Sequence, residues 1–401
     1  MTYKEALAWL YGLQRFGIKL GLENVRRLIA ELHVDLRGAH VIHVAGTNGK
    51  GSVCAMIDSI CRAADLTTGL FTSPHLVTFR ERIRVGGEMI SEQDVAALLT
   101  QIRALSAAWD PHPTFFEVTT ALALKYFSDT KIDICILETG LGGRLDATNA
   151  VHSDVAVITP IDFDHQKWLG HSLAQIAAEK AGIIKPNTPV VSAPQIPDAA
   201  EVISKRAAES EAPLQFVAAP WEKSPISLAG THQKQNAAIA IAAIRSAKID
   251  ISDSVIARGL ASVEWPARFQ KWDERTIIDG AHNPAAARVL AETWRKTFGE
   301  ERATLVLAVL NDKDLLGICD ALAAISEFVV LPHIRSERAA EPEQIAPVLD
   351  LTCSIAPSIA DALYVARSRP NRILLTGSLH FAGEALALLQ NRPAAFEECA
   401  Q

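Results

Sequence analysis

Residues 41–52, VIHVAGTNGKGS, pass from an apolar, β-branched run through three glycines and a lysine into a helical segment. A strand that feeds a glycine-rich turn and then a helix gathers backbone N–H groups and a helix N-terminus around one point, a ready cradle for phosphate oxygens. Gly46, Gly49 and Gly51 let the backbone approach those oxygens, and Lys50 adds a point charge for the β- and γ-phosphates. The spacing departs from the common G-x-x-x-x-G-K-[ST] pattern, because position 44 is Val and Gly51 separates Lys50 from Ser52. The helix is expected to open at Ser52. Asn48, Gly49, Lys50, Gly51 and Ser52 are the expected nucleotide contacts.

Such a unit belongs in an α/β fold, and the rest of the chain keeps the same rhythm. Short Val- and Ile-rich runs at 40–45, 132–137 and 155–159 read as buried strands of a parallel sheet. Helical stretches at 53–64, 92–107 and 117–127 alternate with them. Two helices precede the first strand, one carrying Tyr3, Leu7, Leu10 and Leu13 at helical spacing, the other near residues 22–32. The alternation restarts near Arg275, with a strand at 276–278, a helix at 284–298, a strand at 304–308, and further elements up to a strand at 372–375 and a helix near 379–389. The expected architecture is a P-loop-type doubly wound ATP-binding domain (1–265), a linker (266–272) in which Pro266 breaks a helix, and a smaller Rossmann-like α/β domain (273–401).

Composition narrows the class of partner. Apolar residues at 49% and charged residues at 21% suit a soluble globular enzyme and exclude disorder. A net charge of −7 provides no global basic field for a nucleic-acid backbone. The six cysteines form neither Cys-x-x-Cys nor a zinc-finger spacing, which reads as reduced thiols in the cytosol. The first residues, MTYKEALAWLYGL, lack the layout of a signal peptide, and no run of about 18 uncharged apolar residues occurs to span a membrane. A cytoplasmic enzyme is expected.

GTNGKGS followed by TSPHL (72–76) resembles the Mur ligase superfamily in its folate branch, the folylpolyglutamate synthase / dihydrofolate synthase family. The match continues through FFEVTTALAL, ILETGLGGRLDATN, DFDHQKWLG, EKAGIIK, IIDGAHNP and LLTGSLH, and so covers residues 40 to 380 in order. GLGGRLDATN and the DH-x-x-WLG block are the specific ones. The resemblance implies amide formation: a carboxylate attacks the γ-phosphate of ATP, and an amine then displaces phosphate from the acyl phosphate. It implies dihydropteroate or folates and L-glutamate as the substrates, two Mg²⁺ ions, a monomer, and a monovalent cation as a further candidate.

Residue by residue, the resemblance implies that Glu138 and Ser73 hold one Mg²⁺ and that His165 and a carbamylated Lys180 serve the second. Glu138 ends an apolar strand, where a carboxylate points into the crevice at the strand ends; an ion pair there, or a turn-capping Ser73, are the plainer readings. Carbamylation needs a neutral amine, so the site must depress the pKa of Lys180; an ordinary surface lysine is the alternative. Asn236, Arg268 and Asp279 match the remaining nucleotide contacts. Asp162, Asp164, Gln166 and Lys167 flank His165 without a defined task, and His282 and Asn283 serve either an interdomain site or the turn before Pro284. For the pterin ring the resemblance points to Thr114, Phe115, Phe116 and Glu117, to Leu145, Asp146 and Ala147, and to the 16–25 segment. One of the two phenylalanines could equally be helix core. Arg80, Arg82 and Arg84, on one face of an alternating strand, would meet an anionic substrate or form a solvated basic edge.

Two other readings predict different behaviour. A ligase acting on UDP-muramyl precursors shares the chemistry, but a UDP-sugar domain would need more room before a phosphate loop at residue 46. A P-loop nucleotide switch would turn over slowly without an acceptor, and it gives Glu138, His165 and Lys180 no joint role.

Overall fold

The structure, a computed structural model, describes residues 1–17 and 21–397. Residues 18–20 of the expected 16–25 pterin segment lie outside the described residues. Eight strands form the first sheet: β1 (His40–Ala45), β2 (Thr68–Phe71), β3 (Ile83–Val85), β4 (Glu88–Met89), β5 (Ile134–Glu138), β6 (Val155–Ile158), β7 (Val190–Ser192) and β8 (Leu214–Phe216). Their spatial order is β4-β3-β2-β5-β1-β6-β7-β8. The strands from β2 across to β8 run parallel, and β3 and β4 continue antiparallel at one edge. The β3–β4 connection turns on Gly86 and Gly87, whose φ values of 59° and 90° suit a tight hairpin.

β1, the first strand in sequence order, sits in the middle of the sheet. It pairs with β5 on one side and β6 on the other, with Val44 opposite Glu138 and Ala45 opposite Ile158. The chain leaves these three strands at one edge, and the crevice between diverging crossovers opens there. Below the sheet, the helix Lys50–Ala63 is buried along residues 51–61 and packs against the helices Thr231–Ser246 and Asp253–Ser262. On the other face lie the helices Tyr3–Gly12, Glu92–Ser106 and Phe115–Thr130.

The second sheet is built from β9 (Gln270–Lys271), β10 (Thr276–Ile278), β11 (Ala303–Leu307), β12 (Ser326–Pro332), β13 (Cys353–Ala356) and β14 (Ile373–Thr376), in the order β13-β12-β11-β14-β10-β9. Only β9 is antiparallel to its neighbour among these pairs. The helices Pro284–Phe298 and Leu315–Ala323 cover one face, and Ile359–Ser368 and Leu379–Leu389 cover the other. The chain is thus a two-domain α/β protein. Within the expected linker 266–272, Gln270 and Lys271 already pair with β10.

Two expectations are corrected. The phosphate-loop helix begins at Lys50, not Ser52, because Gly49 at φ 92° ends the turn and serves as its N-cap. Arg80, Arg82 and Arg84 do not share a strand face: Arg80 and Arg82 lie in a 3-10 turn (Phe79–Arg82) and Arg84 in β3. Among the described residues, no helix is long and apolar enough to cross a membrane.

Candidate active site

The turn after β1 has no space for larger residues. A Cβ added at Gly46 (φ 147°) would lie 1.9 Å from Thr159 Oγ1, and one at Gly49 would lie 2.8 Å from Asn236 Oδ1. Thr47 and Asn48 donate their backbone N–H groups to Pro160 O (3.0 and 3.3 Å), which stitches the loop to the segment after β6. Asn236 donates to Gln233 Oε1 (2.9 Å), and Gln233 donates to Ser52 Oγ (3.4 Å), so helix Thr231–Ser246 braces the loop from behind. Lys50 Nζ folds back to donate to Gly46 O and Thr47 O (3.1 and 3.2 Å).

Lys180, on the helix Leu173–Ala181, reaches the same carbonyl: its Nζ donates to Gly46 O at 2.7 Å. The side chain is buried. Burial, reinforced by the nearby Lys50 charge, pulls its amine down to about 7. A substantial neutral fraction at neutral pH is what a carbamylation site requires.

Glu138 occupies the last position of β5 and is buried. Burial pushes its carboxyl up, against the pull of Lys50, of the Ser73 N–H, and of Arg268 and Arg82. Ser73 N donates to Glu138 Oε2 at 3.1 Å, while Ser73 Oγ is buried with no hydrogen-bond partner among the described residues. A carboxylate beside an orphaned hydroxyl oxygen is a donor set that suits a hard divalent cation.

His165 follows on the other side of β1, in the left-handed conformation at φ 49°, with two-fifths of its side chain exposed. The cleft around it, with Lys313 and Lys50 close by, lowers its ring to about 4 against the pull of Asp164. Asp164 faces the second domain. Its carboxylate meets Lys313 Nζ at 2.7 Å, His282 Nε2 at 3.6 Å and Asn283 Nδ2 at 3.4 Å. Burial alone would raise Asp164, yet the His282 contact and the charges around it hold it well below the usual carboxylate range. Asn283 Nδ2 also donates to Asn48 Oδ1 (3.0 Å), so the second domain touches the phosphate loop itself.

The structure thus brings Asn48–Ser52, Ser73, Glu138, His165, Lys180 and Asn236 to one crevice. Arg268 lies at its margin, where Nη1 donates to Ala267 O (2.8 Å) and packs over Gly280. Asp279 turns inward: its two oxygens accept from Phe269 N (2.7 Å) and Ala281 N (2.8 Å). The pterin set divides. Thr114 and Glu117 form a capping box that starts the helix Phe115–Thr130. Asp146 accepts from Gly140 N, Leu141 N and Thr148 N and shapes its own loop. Phe115 is core, stacked on Tyr11 at 5.7 Å. Phe116 remains half-buried, beside Phe71 (5.8 Å) and in an apolar group with Leu22, Val25 and Ala147; Leu145 is half-buried nearby in sequence. Sequence reasoning missed Lys313. Its signal was a cation just beyond strand β11, at the same edge of a parallel strand that singled out Glu138.

Two family models match the chain: the Mur ligase middle domain over residues 44–206 and the Mur ligase glutamate ligase domain over residues 267–379. The dihydrofolate synthase/folylpolyglutamate synthase of Bacillus subtilis is 36% identical over 421 residues, covering 96% of this chain and 98% of the relative. The chain belongs to the dihydrofolate synthase/folylpolyglutamate synthase family of Mur ligases. Within this family, Escherichia coli FolC in complex with DHPP and ADP superposes with a TM-score of 0.87 at 34% identity, over 96% of this chain and 98% of that one. The Yersinia pestis bifunctional enzyme, solved with AMPPNP and a Mn ion, gives a TM-score of 0.88 at 32% identity over 97% and 98% of the two chains. The first of these complexes carries ADP and DHPP, the second AMPPNP and a Mn ion.

Proposed function

We propose that this chain is an ATP-dependent, ADP-forming ligase that joins L-glutamate to dihydropteroate and to (poly)glutamyl folates through an acyl phosphate. The observation that carries this reading is the orphaned Ser73 hydroxyl beside Glu138, in the same crevice as the phosphate loop and a lysine of lowered pKa. Residues 1–265 are assigned as the ATP-binding domain, 266–272 as the linker and 273–401 as the ligase domain. The enzyme is assigned as a cytoplasmic monomer acting on small molecules, with a monovalent cation as an optional activator.

The backbone amides of Gly49–Ser52 and the N-terminus of helix Lys50–Ala63 hold the nucleotide phosphates, with Asn48 fixing the turn that leads into them. Lys50 exchanges its two carbonyl partners for phosphate oxygens. Arg268 and Asn236 border the nucleotide, while Asp279 fixes the loop that carries His282. Ser73 and Glu138 would hold one divalent ion, and His165 with carbamylated Lys180 a second; such ions supply neutralisation of the charge gathered at the transferring phosphoryl group. Phe116, Leu145 and Ala147 offer apolar surface to the pterin ring. The Asp164–Lys313 and Asn48–Asn283 contacts draw the two domains together over the crevice, which excludes water from an acyl phosphate.

The test is acceptor-dependent ADP release. Dihydropteroate and a reduced folate monoglutamate should each stimulate release only when L-glutamate is present, and a UDP-muramyl acceptor should not. Release that ignores both folate acceptors, or that follows the muramyl one, removes the assignment.

A further inference from the structure

The residues after helix Leu379–Leu389 leave the second domain and return to the first. Residues 391–395 are exposed, then Phe396 and Glu397 become half-buried. The Phe396 ring meets His380 edge-on at 5.2 Å, and the Glu397 main chain docks on the TSPHL loop: its N–H donates to Val77 O (2.8 Å), and its carbonyl accepts from His75 Nε2 (2.9 Å). The donor on His75 is fixed by the other side of the ring, where Nδ1 accepts from the buried Arg82 Nε at 2.8 Å. The Glu397 carboxylate gathers three donors from the first domain: Tyr3 OH (3.0 Å), Thr78 Oγ1 (3.0 Å) and Phe79 N (2.5 Å). Helix Leu379–Leu389 abuts the same loop, since a Cβ added at Gly383 would lie 1.9 Å from Leu76 O.

The clamped segment has no regular hydrogen-bond ladder of its own. The amides of Leu76, Val77 and Thr78 are held by Glu81 (2.8, 3.0 and 3.0 Å), and the next amide, Phe79, by Glu397. Two carboxylates therefore set the path of residues 75–79, one local and one from the far end of the chain. Upstream by two residues is Ser73, whose N–H meets Glu138 and whose hydroxyl is the orphaned oxygen.

We propose that Glu397 is a positioning residue for the ligase: by clamping residues 75–79 it fixes the loop that presents Ser73 to Glu138, and so sets the affinity of that pair for a divalent cation. This rests on the assignment of Ser73 and Glu138 as metal-holding residues. The clamp acts through the loop, so it tunes metal binding without touching nucleotide or folate. It also makes the metal site report on the docking of the second domain, because the tail that carries Glu397 starts there.

The experiment is a Mg²⁺ titration of glutamate-dependent ADP release, paired with amide hydrogen exchange over peptides covering residues 72–82, for wild type, Glu397→Ala, Glu397→Gln and Ser73→Ala. Glu397→Ala should raise the half-saturating Mg²⁺ concentration about tenfold, the scale at which supporting partners of metal ligands act. It should speed exchange at 72–82 and leave KM for L-glutamate unchanged, with Glu397→Gln intermediate because it keeps one acceptor. An unchanged Mg²⁺ requirement in Glu397→Ala, with Ser73→Ala shifted, overturns the clamp and leaves the metal assignment standing. An unshifted Ser73→Ala overturns the metal assignment and the clamp with it. Should Glu397→Ala fail to fold, Tyr3→Phe, which removes one of the three donors, is judged by the same two readouts.

Discussion

Lys180 shows how one burial decides a residue's chemistry. Its amine sits in the protein interior, shares the Gly46 carbonyl with Lys50, and is pulled down to about 7 from an ordinary 10.5, by burial first and then by Lys50. Above about 7 the amine is neutral and can add CO₂; below it the ammonium cannot. At fixed dissolved CO₂, glutamate-dependent turnover should therefore be lost as pH falls through about 7. Lys180→Ala should lower kcat by about a hundredfold or more, the scale of removing one preorganised charge-stabilising group, with ATP binding retained. A Lys180→Ala enzyme with wild-type turnover, measured as ADP release, removes the carbamate from the mechanism. Lys180 was legible in the sequence because EKAGI lies in a resemblance that runs the length of the chain. The pairing of Asp164 with Lys313 was not, because an ion pair between residues 149 apart leaves no local pattern. Thr114 and Glu117 carry the opposite lesson: T-x-x-E before an apolar run is a capping box on local grounds alone, and its polar atoms are used in starting a helix.

At the level of elements, the loop between β1 and its helix depends on glycines that differ in what surrounds them. Gly49 and Gly86 both adopt positive φ, 92° and 59°. A Cβ at Gly86 would meet open space, whereas one at Gly49 would meet Asn236 Oδ1 at 2.8 Å, in the wall of the crevice proposed to hold the nucleotide. Gly86→Ala should cost on the order of 1 kcal/mol of stability and leave kinetics alone, the price of a left-handed residue that is no longer glycine. Gly49→Ala should cost a similar amount and also raise KM for ATP by roughly tenfold, because Asn236 must shift. Thermal melts and ATP titrations of the two variants separate these outcomes; equal KM values would mean the loop tolerates the shift. The long, strongly patterned elements were readable: β1, the helix Pro284–Phe298 and the helix Leu379–Leu389 fall where periodicity put them. Short elements divided: β6, β10 and β14 were readable from their apolar runs, whereas β2 (TGLF), β7 and β8 were not. These three are strands because β5, β6 and β7 offer them edges to pair with.

For the whole molecule, the two domains are joined by polar contacts as well as by the chain, through Asp164 with Lys313, Asn48 with Asn283, and Glu397 with the TSPHL loop. Building such a crevice inside a large core also buries histidines, and these tie the stability of the fold to pH. His43, in the central strand β1, donates from Nε2 to Thr148 Oγ1 at 2.7 Å, because that hydroxyl is itself the donor to Asp146. Burial, with Lys185 nearby, holds its ring down to about 3. Burial likewise lowers His232 to about 4, helped by Arg268, and takes His75 well below 6.5, helped by Arg82. The folded state keeps these rings neutral, while the unfolded chain protonates each near 6.5. Between about 6.5 and 4 the unfolded state binds more protons at these rings, so their contribution to stability is full above that window and falls as pH drops through it. Each ring contributes a slope of about 1.4 kcal/mol per pH unit once the unfolded chain is fully protonated. Urea midpoints measured from pH 7.5 to 4.5 should therefore decline steadily below about 6.5, well before most carboxylates titrate. His43→Gln, which cannot protonate, should decline less steeply by one such increment. A wild-type midpoint that stays flat down to pH 5 would mean that these rings take up their protons without unfolding, and that the core around β1 is open to water.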